Sequence, residues 1–271
     1  MSLSIIIPAF NEASRIGLPL ERIKDYSRRF VPELELELIV IDDGSTDGTT
    51  EVVRAIAADW PCARVLQLTP NGGKGAAVRA GCLSAKGDFI LIYDADGATP
   101  IEEEARFRAL LADDPNCDIV VGVRYEDMSV IRMSSLRRNL GWLFSVLSSF
   151  VIGRKCRDSQ CGFKMLRRCS VVPLIKKCRE GGYAFDVELL AYMHRSGQTI
   201  KECNIRWTSI DGSKVSVCRD GAVMLVRLVV IWLRVIRFCG FTIPRDSEIG
   251  TEAISHSGNI AEYKTMVPPN V

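Results

Sequence analysis

A mainly parallel α/β sheet covered by helices on both faces is the fold the sequence predicts, and three observations predict it. Through residues 1–122, apolar runs of strand length alternate with segments of helical period. The runs are continuously apolar, as strands buried on both faces are. Short polar, Gly-rich stretches follow those runs, at the strand C-termini where open α/β sheets bind ligands. With 271 residues, 47% hydrophobic and 25% charged, the chain has length for a full core, and disorder, collagen and coiled coil are excluded.

Taken in order, Leu3–Pro8 is a buried strand and Glu12–Phe30 follows with a helical pattern. Leu36–Asp42 is the second strand, and Thr46–Asp59 reads as a helix entered through Ser45 or Thr46 as N-cap. Val65–Leu68 is a short strand, Lys74–Ser84 a helix and Asp88–Tyr93 a strand. Ile101–Ala112 is a helix opened by Pro100, with Glu102, Glu103 and Glu104 on its positive end. Cys117–Gly122 is one more strand. The second half is less regular: Leu140–Ile152 is an almost wholly apolar helix edged by arginines, Ala184–Arg195 a helix and Thr199–Trp207 a strand.

Gly221–Phe238 is a further helix, on which Asp220, Arg227, Arg234 and Arg237 fall within roughly a 100° arc while the rest is apolar. Such a helix lies in a membrane surface, or packs on the core with its arginines in water. One domain is expected over 1–240, with a nucleotide-binding half at 1–122 and an acceptor half at 123–240. Residues 241–271 read as a flexible tail.

Charge is uneven along the chain. Residues 1–122 sum to −8 and residues 123–168 to +7, within a net charge of +2. The ten cysteines form no Cys-x-x-Cys pair and there are two histidines, so zinc-ligand spacing is absent and free thiols are expected. No uncharged apolar run reaches the roughly 18–20 residues of a membrane span, and the N-terminal run is too short for a signal sequence.

Four strand-end segments can carry chemistry. Pro8-Ala9-Phe10-Asn11-Glu12 places an amide and a carboxylate at a helix start, and alone is a helix cap. Asp42-Asp43-Gly44-Ser45-Thr46-Asp47 puts adjacent carboxylates at a strand tip, either to accept from a base or ribose or as an Asp-rich turn. Asn71-Gly72-Gly73-Lys74-Gly75 is a turn that can hold an anion on backbone N–H groups, although it is not a Walker A motif. Asp94-Ala95-Asp96-Gly97 ends a strong apolar strand in two carboxylates, an oxygen-only set that suits Mg²⁺ or Mn²⁺ bridging to a substrate diphosphate.

The four segments in this order resemble those of the family 2 glycosyltransferases, which have a GT-A fold. In the second half, Arg157-Asp158-Ser159-Gln160-Cys161-Gly162-Phe163-Lys164, Ala184-Phe185-Asp186-Val187-Glu188 and Trp207 with Gly212-Ser213-Lys214 are similar to the dolichyl-phosphate β-glucosyltransferases. The dolichyl-phosphate mannosyltransferases are near relatives of these. The likeness runs from about residue 3 to residue 240. It implies that Pro8, Asn11, Glu12 and Asp43 hold the nucleoside, with Lys74 beside them, and that Asp94 and Asp96 bind the metal. Arg124 with Arg137 or Arg138 would meet the acceptor phosphate, Gln160 and Lys164 would line the reaction centre, and Lys214 would close over the donor diphosphate. Ala98 stands where the mannosyl relatives carry a Gln metal ligand.

The implied activity is inverting transfer of glucose from UDP-glucose to dolichyl or another polyprenyl phosphate; mannose or another hexose on a different nucleotide is the alternative. The acceptor phosphate is already anionic, so no strong base is needed, and the costly step is departure of the nucleoside diphosphate. The basic segment around the apolar helix, with Arg132, Arg137, Arg138, Arg154, Lys155 and Arg157, suits anionic lipid. The expected place is therefore the cytoplasmic side of a membrane, held peripherally, with no nucleic-acid partner. A soluble nucleotidyltransferase or a non-catalytic sugar-nucleotide-binding module would share the acidic and Gly-rich loops. The first would not need two apolar, Arg-edged helices, and the intact Asp94 and Asp96 argue against the second.

Overall fold

A computed structural model describes residues 1–124, 135–208, 210 and 217–238. Seven strands, β1 (Ser2–Ala9), β2 (Glu35–Asp42), β3 (Ala63–Gln67), β4 (Phe89–Ile92), β5 (Cys117–Arg124), β6 (Lys164–Arg167) and β7 (Thr199–Ile205), form one sheet in the order β3-β2-β1-β4-β6-β5-β7. The helices are α1 (Gly17–Phe30), α2 (Thr49–Ala57), α3 (Lys74–Ser84), α4 (Glu103–Asp113), α5 (Ser135–Ile152), α6 (Arg168–Ile175), α7 (Phe185–Arg195) and α8 (Val217–Ile236).

Alternation along β1 explains the layers. Leu3, Ile5 and Ile7 point into one core with Leu20 and Ile23 of α1, Val53 of α2 and Phe107 and Leu111 of α4. Ile6 points into the other, with Ala77 and Val78 of α3, Val171 of α6, Leu189 of α7 and Leu228 and Ile231 of α8. Both faces are thus dry, which is why these strands read as unbroken apolar runs. Strand order reverses between β1 and β4, because β1 continues to β2 on one side and β3 crosses back to β4 on the other. Ligands bind at such a switch point, outside the strand C-termini.

The elements depart from expectation at several points, the unexpected α6 among them, and three of them bear on the site. Residues 11–16 form a turn and α1 starts only at Gly17, because the Arg15 and Ile16 N–H groups both close on the Glu12 carbonyl. Entry to α2 is not through Ser45 or Thr46. The N-cap is Gly48 in the left-handed region, and Asp47 Oδ1 accepts from the Thr49 N–H at 3.1 Å. The third departure is β6, absent from the expected pattern, which runs antiparallel between β4 and β5 and separates them. Its four residues are too short to show a period, and its first residue is a lysine.

Candidate active site

The tips of β1, β2, β4 and β5 and the entry to β6 lie at one edge of the sheet. At β4, Asp94 meets Lys74, the first residue of α3, whose Nζ donates to Asp94 Oδ1 at 2.6 Å. Burial pushes the Asp94 carboxyl up, but Lys74, Lys164 and Arg124 outweigh it and hold it below the ordinary aspartate value. Asp96 Oδ1 accepts from the Ala98 N–H at 3.0 Å. Burial raises its carboxyl, and the Asp94 charge adds to this despite that hydrogen bond. A cleft here is lined by Asp94, Asp96, Thr99, Arg124, Gly162 and Trp207. Arg124 clasps Asp158 through Nε at 2.7 Å and Nη2 at 2.8 Å and lies 5.6 Å from the centre of the Trp207 ring.

Asp94 and Asp96 fit a hard divalent cation in chemistry and number. Both are oxygen donors at one strand tip, and Mg²⁺ is commonly held by one or two carboxylates with substrate phosphates completing the shell. Among the described residues no group of three or more His, Cys, Asp or Glu side chains is placed to bind a metal alone. The position of Ala98 supplies a backbone N–H to Asp96 and a carbonyl to Thr208.

Residues 4–171 match the sequence profile of Glycosyl transferase family 2. The chain belongs to that family. The glycosyltransferase is 35% identical over 223 residues to a dolichyl-phosphate beta-glucosyltransferase, ALG5C, of Trichomonas vaginalis, covering 79% of this chain and 66% of that relative. It is 34% identical to the Drosophila melanogaster protein named dolichyl-phosphate beta-glucosyltransferase, over 86% of this chain and 75% of the other. The chain thus spans about two thirds to three quarters of the length of these relatives. In fold it resembles glucosyl-3-phosphoglycerate synthase of Mycobacterium tuberculosis, solved with Mn²⁺, UDP-glucose and phosphoglyceric acid, at a TM-score of 0.62 and 20% identity over 86% of this chain and 79% of that one. Mannosyl-3-phosphoglycerate synthase of Rubrobacter xylanophilus has the same TM-score of 0.62 at 20% identity, over 86% of this chain and 74% of that one.

Within the glycosyltransferase, several expected site residues take other partners. The amides of the Gly-rich turn already hold an anion belonging to the protein: the Asp43 carboxylate accepts from the Gly72 N–H at 2.8 Å and the Gly73 N–H at 2.7 Å. Asp43 is buried, which raises its carboxyl in spite of those two bonds, with the Asp42 charge adding to the rise. Gly73 has φ +89°, and a Cβ there would meet the Gly181 carbonyl oxygen at 2.5 Å, so no other residue fits without displacing that turn. Lys74, expected beside those residues, pairs with Asp94.

Pro8 sits in β1 beside Ile41, and Asn11, at φ 53°, accepts through Oδ1 from the Thr46 N–H at 2.8 Å. Glu12 is buried, with Oε1 accepting from Arg15 Nη2 at 2.8 Å. These contacts knit the β1 and β2 tips together, as do the Asn11 N–H to Ser45 Oγ at 2.8 Å and the Glu12 N–H to Thr49 Oγ1 at 2.8 Å.

Lys164 does not line an open reaction centre. It is fully buried, its ammonium donates to the Cys161 carbonyl and to Asp186 Oδ1 at 2.7 Å, and its charge reaches Asp94 through the protein. The reason is β6: Lys164 opens a strand paired on both sides, by β4 and β5, and its side chain turns into the protein onto Asp186. Gln160 is half-buried and donates from Nε2 to the Tyr183 carbonyl at 3.2 Å, outside the residues that line the cleft. Arg137 and Arg138 fall on α5 where side chains lie outside the described residues, and Lys214 and the 241–271 tail lie outside them altogether.

Sequence reasoning quoted Asp158, Gly162 and Asp186 without seeing their work. Asp158 orients Arg124, Asp186 neutralises Lys164, and Gly162 gives Asp94 its room. Two opposite charges in separate motifs of one protein were the available signal.

Proposed function

We propose that the chain transfers glucose from UDP-glucose to dolichyl or another polyprenyl phosphate, with inversion, while resting on a membrane surface. The observation that carries this reading is the identity of 31–35% with proteins named dolichyl-phosphate beta-glucosyltransferase, over 79–86% of this chain.

In this reading Pro8, Asn11, Glu12 and Asp43 frame the nucleoside, the last through the Gly72–Gly73 turn it holds. Asp94 and Asp96 hold Mg²⁺ or Mn²⁺, and the bound ion supplies charge neutralisation to the departing diphosphate. Lys74 keeps Asp94 ionised and fixed in place. Arg124, aimed by Asp158 and backed by Trp207, offers its guanidinium to the acceptor phosphate, with Arg137 or Arg138 alongside. Lys164, paired with Asp186, is a positioning residue behind Asp94 and not a group that touches the sugar. Lys214 closes over the diphosphate, and Gln160, held on the Tyr183 carbonyl, flanks the centre from beside the cleft. Attack by an anionic phosphate oxygen on the anomeric carbon, with the UDP oxygen leaving from the opposite side, turns an α-linked donor into a β-linked product.

The membrane part of the reading is supported by α5 and α8, which pack together through Phe150 and Trp232. Leu143, Val146, Leu147 and Phe150 of α5 are exposed, as are Val223, Val226, Val229, Leu233 and Ile236 of α8. The spacing is helical on both, so each presents an apolar stripe outward. The arginine stripe of α8 was expected either at the lipid boundary or in water. Instead Arg234 binds Glu188 and Arg227 Nε lies 3.9 Å from Glu180 Oε2, both carboxylates being buried. Arg227 and Arg234 thus reach buried carboxylates while Arg237 is exposed, and the helix buries Met224, Leu228, Ile231 and Val235 while also presenting an apolar stripe outward. No helix among the described residues is long and apolar enough to cross a membrane, and a surface-lying pair of helices accommodates that.

Incubation with a panel of nucleotide sugars, a short polyprenyl phosphate and Mg²⁺ or Mn²⁺, followed by mass spectrometry, tests the assignment. The expected product is a hexosyl polyprenyl phosphate from UDP-glucose. Turnover of GDP-mannose alone would remove glucose from the reading.

A further inference from the structure

We infer that the Arg234–Glu188 ion pair couples the seating of α8 to the donor end of the active site, and that Glu188 is a positioning residue for donor binding. The inference rests on the transfer reaction and membrane contact proposed above.

Glu188 is wholly buried in α7, and its carboxylate does two things at once. One oxygen receives the Arg234 guanidinium from α8. The other accepts the Arg179 N–H at 2.8 Å and the Glu180 N–H at 2.7 Å, so it fixes the backbone of the turn that precedes α7. A second tether runs in parallel, from Arg227 of α8 to Glu180, whose Oε1 accepts the Gly182 N–H at 3.1 Å.

That turn in turn carries the start of α3. The Gly181 carbonyl accepts the Gly75 N–H at 2.7 Å and the Ala76 N–H at 3.2 Å, which satisfies amides that a helix N-terminus otherwise leaves without partners. The same N-terminus bears Lys74 against Asp94, and the two residues before it hold Asp43. From α8 to the acidic tip of β4 there is thus an unbroken series of charged and backbone contacts, each between adjacent partners. At the turn's far end the Tyr183 carbonyl accepts from Gln160.

The direction of coupling follows from α8. Its inward residues Leu228, Ile231 and Val235 pack into the core, and its outward face is apolar, so a lipid surface that covers the outward face adds to that packing and holds the helix down more firmly. Seating α8 keeps Arg234 on Glu188; a buried carboxylate whose cation leaves is costly, and the turn it holds loosens with it. Whatever steadies α8 therefore steadies the donor end, and by linkage donor binding favours the seated helix to the same factor.

The test uses the full chain, with UDP titrated by calorimetry in Mg²⁺ and vesicles of phosphatidylcholine with phosphatidylglycerol present or absent. Wild type is expected to bind UDP about fivefold or more tightly on vesicles. Arg234→Met is expected to float with vesicles as wild type does, because the outward stripe is unchanged, yet to lose that response. In steady-state assays its KM for UDP-glucose should rise about fivefold or more, with kcat at saturating donor within about twofold. Arg234→Lys should restore most of the response and Glu188→Gln should reproduce the loss. A wild-type-like vesicle response in Arg234→Met overturns the coupling, as does a fall in kcat at unchanged KM, which reports only less folded enzyme. If wild type neither floats nor binds UDP, the underlying reading fails and takes the coupling with it. Wild type that transfers glucose and floats, but binds UDP equally with and without vesicles, overturns the coupling alone.

Discussion

Gly162 lies so close against Asp94 that a β-carbon at that position would overlap the aspartate carboxylate. The acidic tip of β4 and the loop entering β6 are therefore built to one another's shape, and the lack of a side chain at residue 162 sets where Asp94 can stand. Gly162→Ala should turn Asp94 away from Lys74 and lower transfer by about 100-fold, the scale at which a misplacement near 1 Å acts. The measurement is kcat with a melting curve alongside. Full activity would mean that Asp94 has freedom the packing does not give it.

Asp96 is half-buried and, among the described residues, its side chain accepts from the Ala98 N–H, so Asp96→Ala removes little packing. Transfer should fall by about 10²–10³-fold, as when a group that stabilises transition-state charge is deleted. The circular dichroism spectrum should be unchanged, and Mn²⁺ should no longer tighten UDP binding. Retained turnover would rule out the ligand role.

For α8 the outward apolar stripe decides which substitutions matter. Val226 and Val229 are 65% and 57% exposed, so Val226→Glu with Val229→Glu should leave stability nearly intact and abolish vesicle flotation. Sedimentation with vesicles at the wild-type level would place the lipid contact elsewhere.

A pH effect attaches to Glu37 of β2, which ties that strand to β1, β3 and the entry to β4. Its carboxylate accepts from Ser4 Oγ at 2.7 Å, the Lys86 N–H at 3.0 Å and Arg64 at 3.0 Å. Burial raises its carboxyl, but these three partners more than offset that and the net shift is downward. A lowered carboxyl stabilises the fold above the unfolded glutamate value of about 4.3, and that contribution disappears as pH falls through the folded value. Glu37→Gln should cost about 1 kcal/mol at neutral pH, and the gap from wild type should close below about pH 4. Denaturant titrations at several pH values decide it; a constant gap would separate Glu37 from the acid response.

Much of residues 1–122 was legible because its elements are local. Lys74–Ser84 begins and ends where its glycines and apolar period place it, and the acid tip after Ile92 follows from a strong strand running into two aspartates. What could not be read were partnerships between distant segments. Lys164 looks like any lysine after a Gly-Phe pair until β6 is seen to be a central strand, and Asp186 is then the counter-charge that burial demands. Arg234 obeys a surface-helix pattern, yet Glu188, which defeats it, sits 46 residues earlier on a helix that reads as apolar core. The antiparallel strand was hidden by its brevity, since four residues carry no period of their own.

Because β6 fills the space between β4 and β5, synthesis on the ribosome leaves the sheet in two unjoined parts until late. A nascent chain that has emerged only through Arg124 has β4 and β5 but not the strand that pairs with both. The exposed flanks must wait some forty residues for Lys164–Arg167, and the donor half meanwhile carries bare backbone along one border. Vectorial growth thus sets the moment of closure, and truncations that stop short of that strand are expected to clump where those reaching α6 do not.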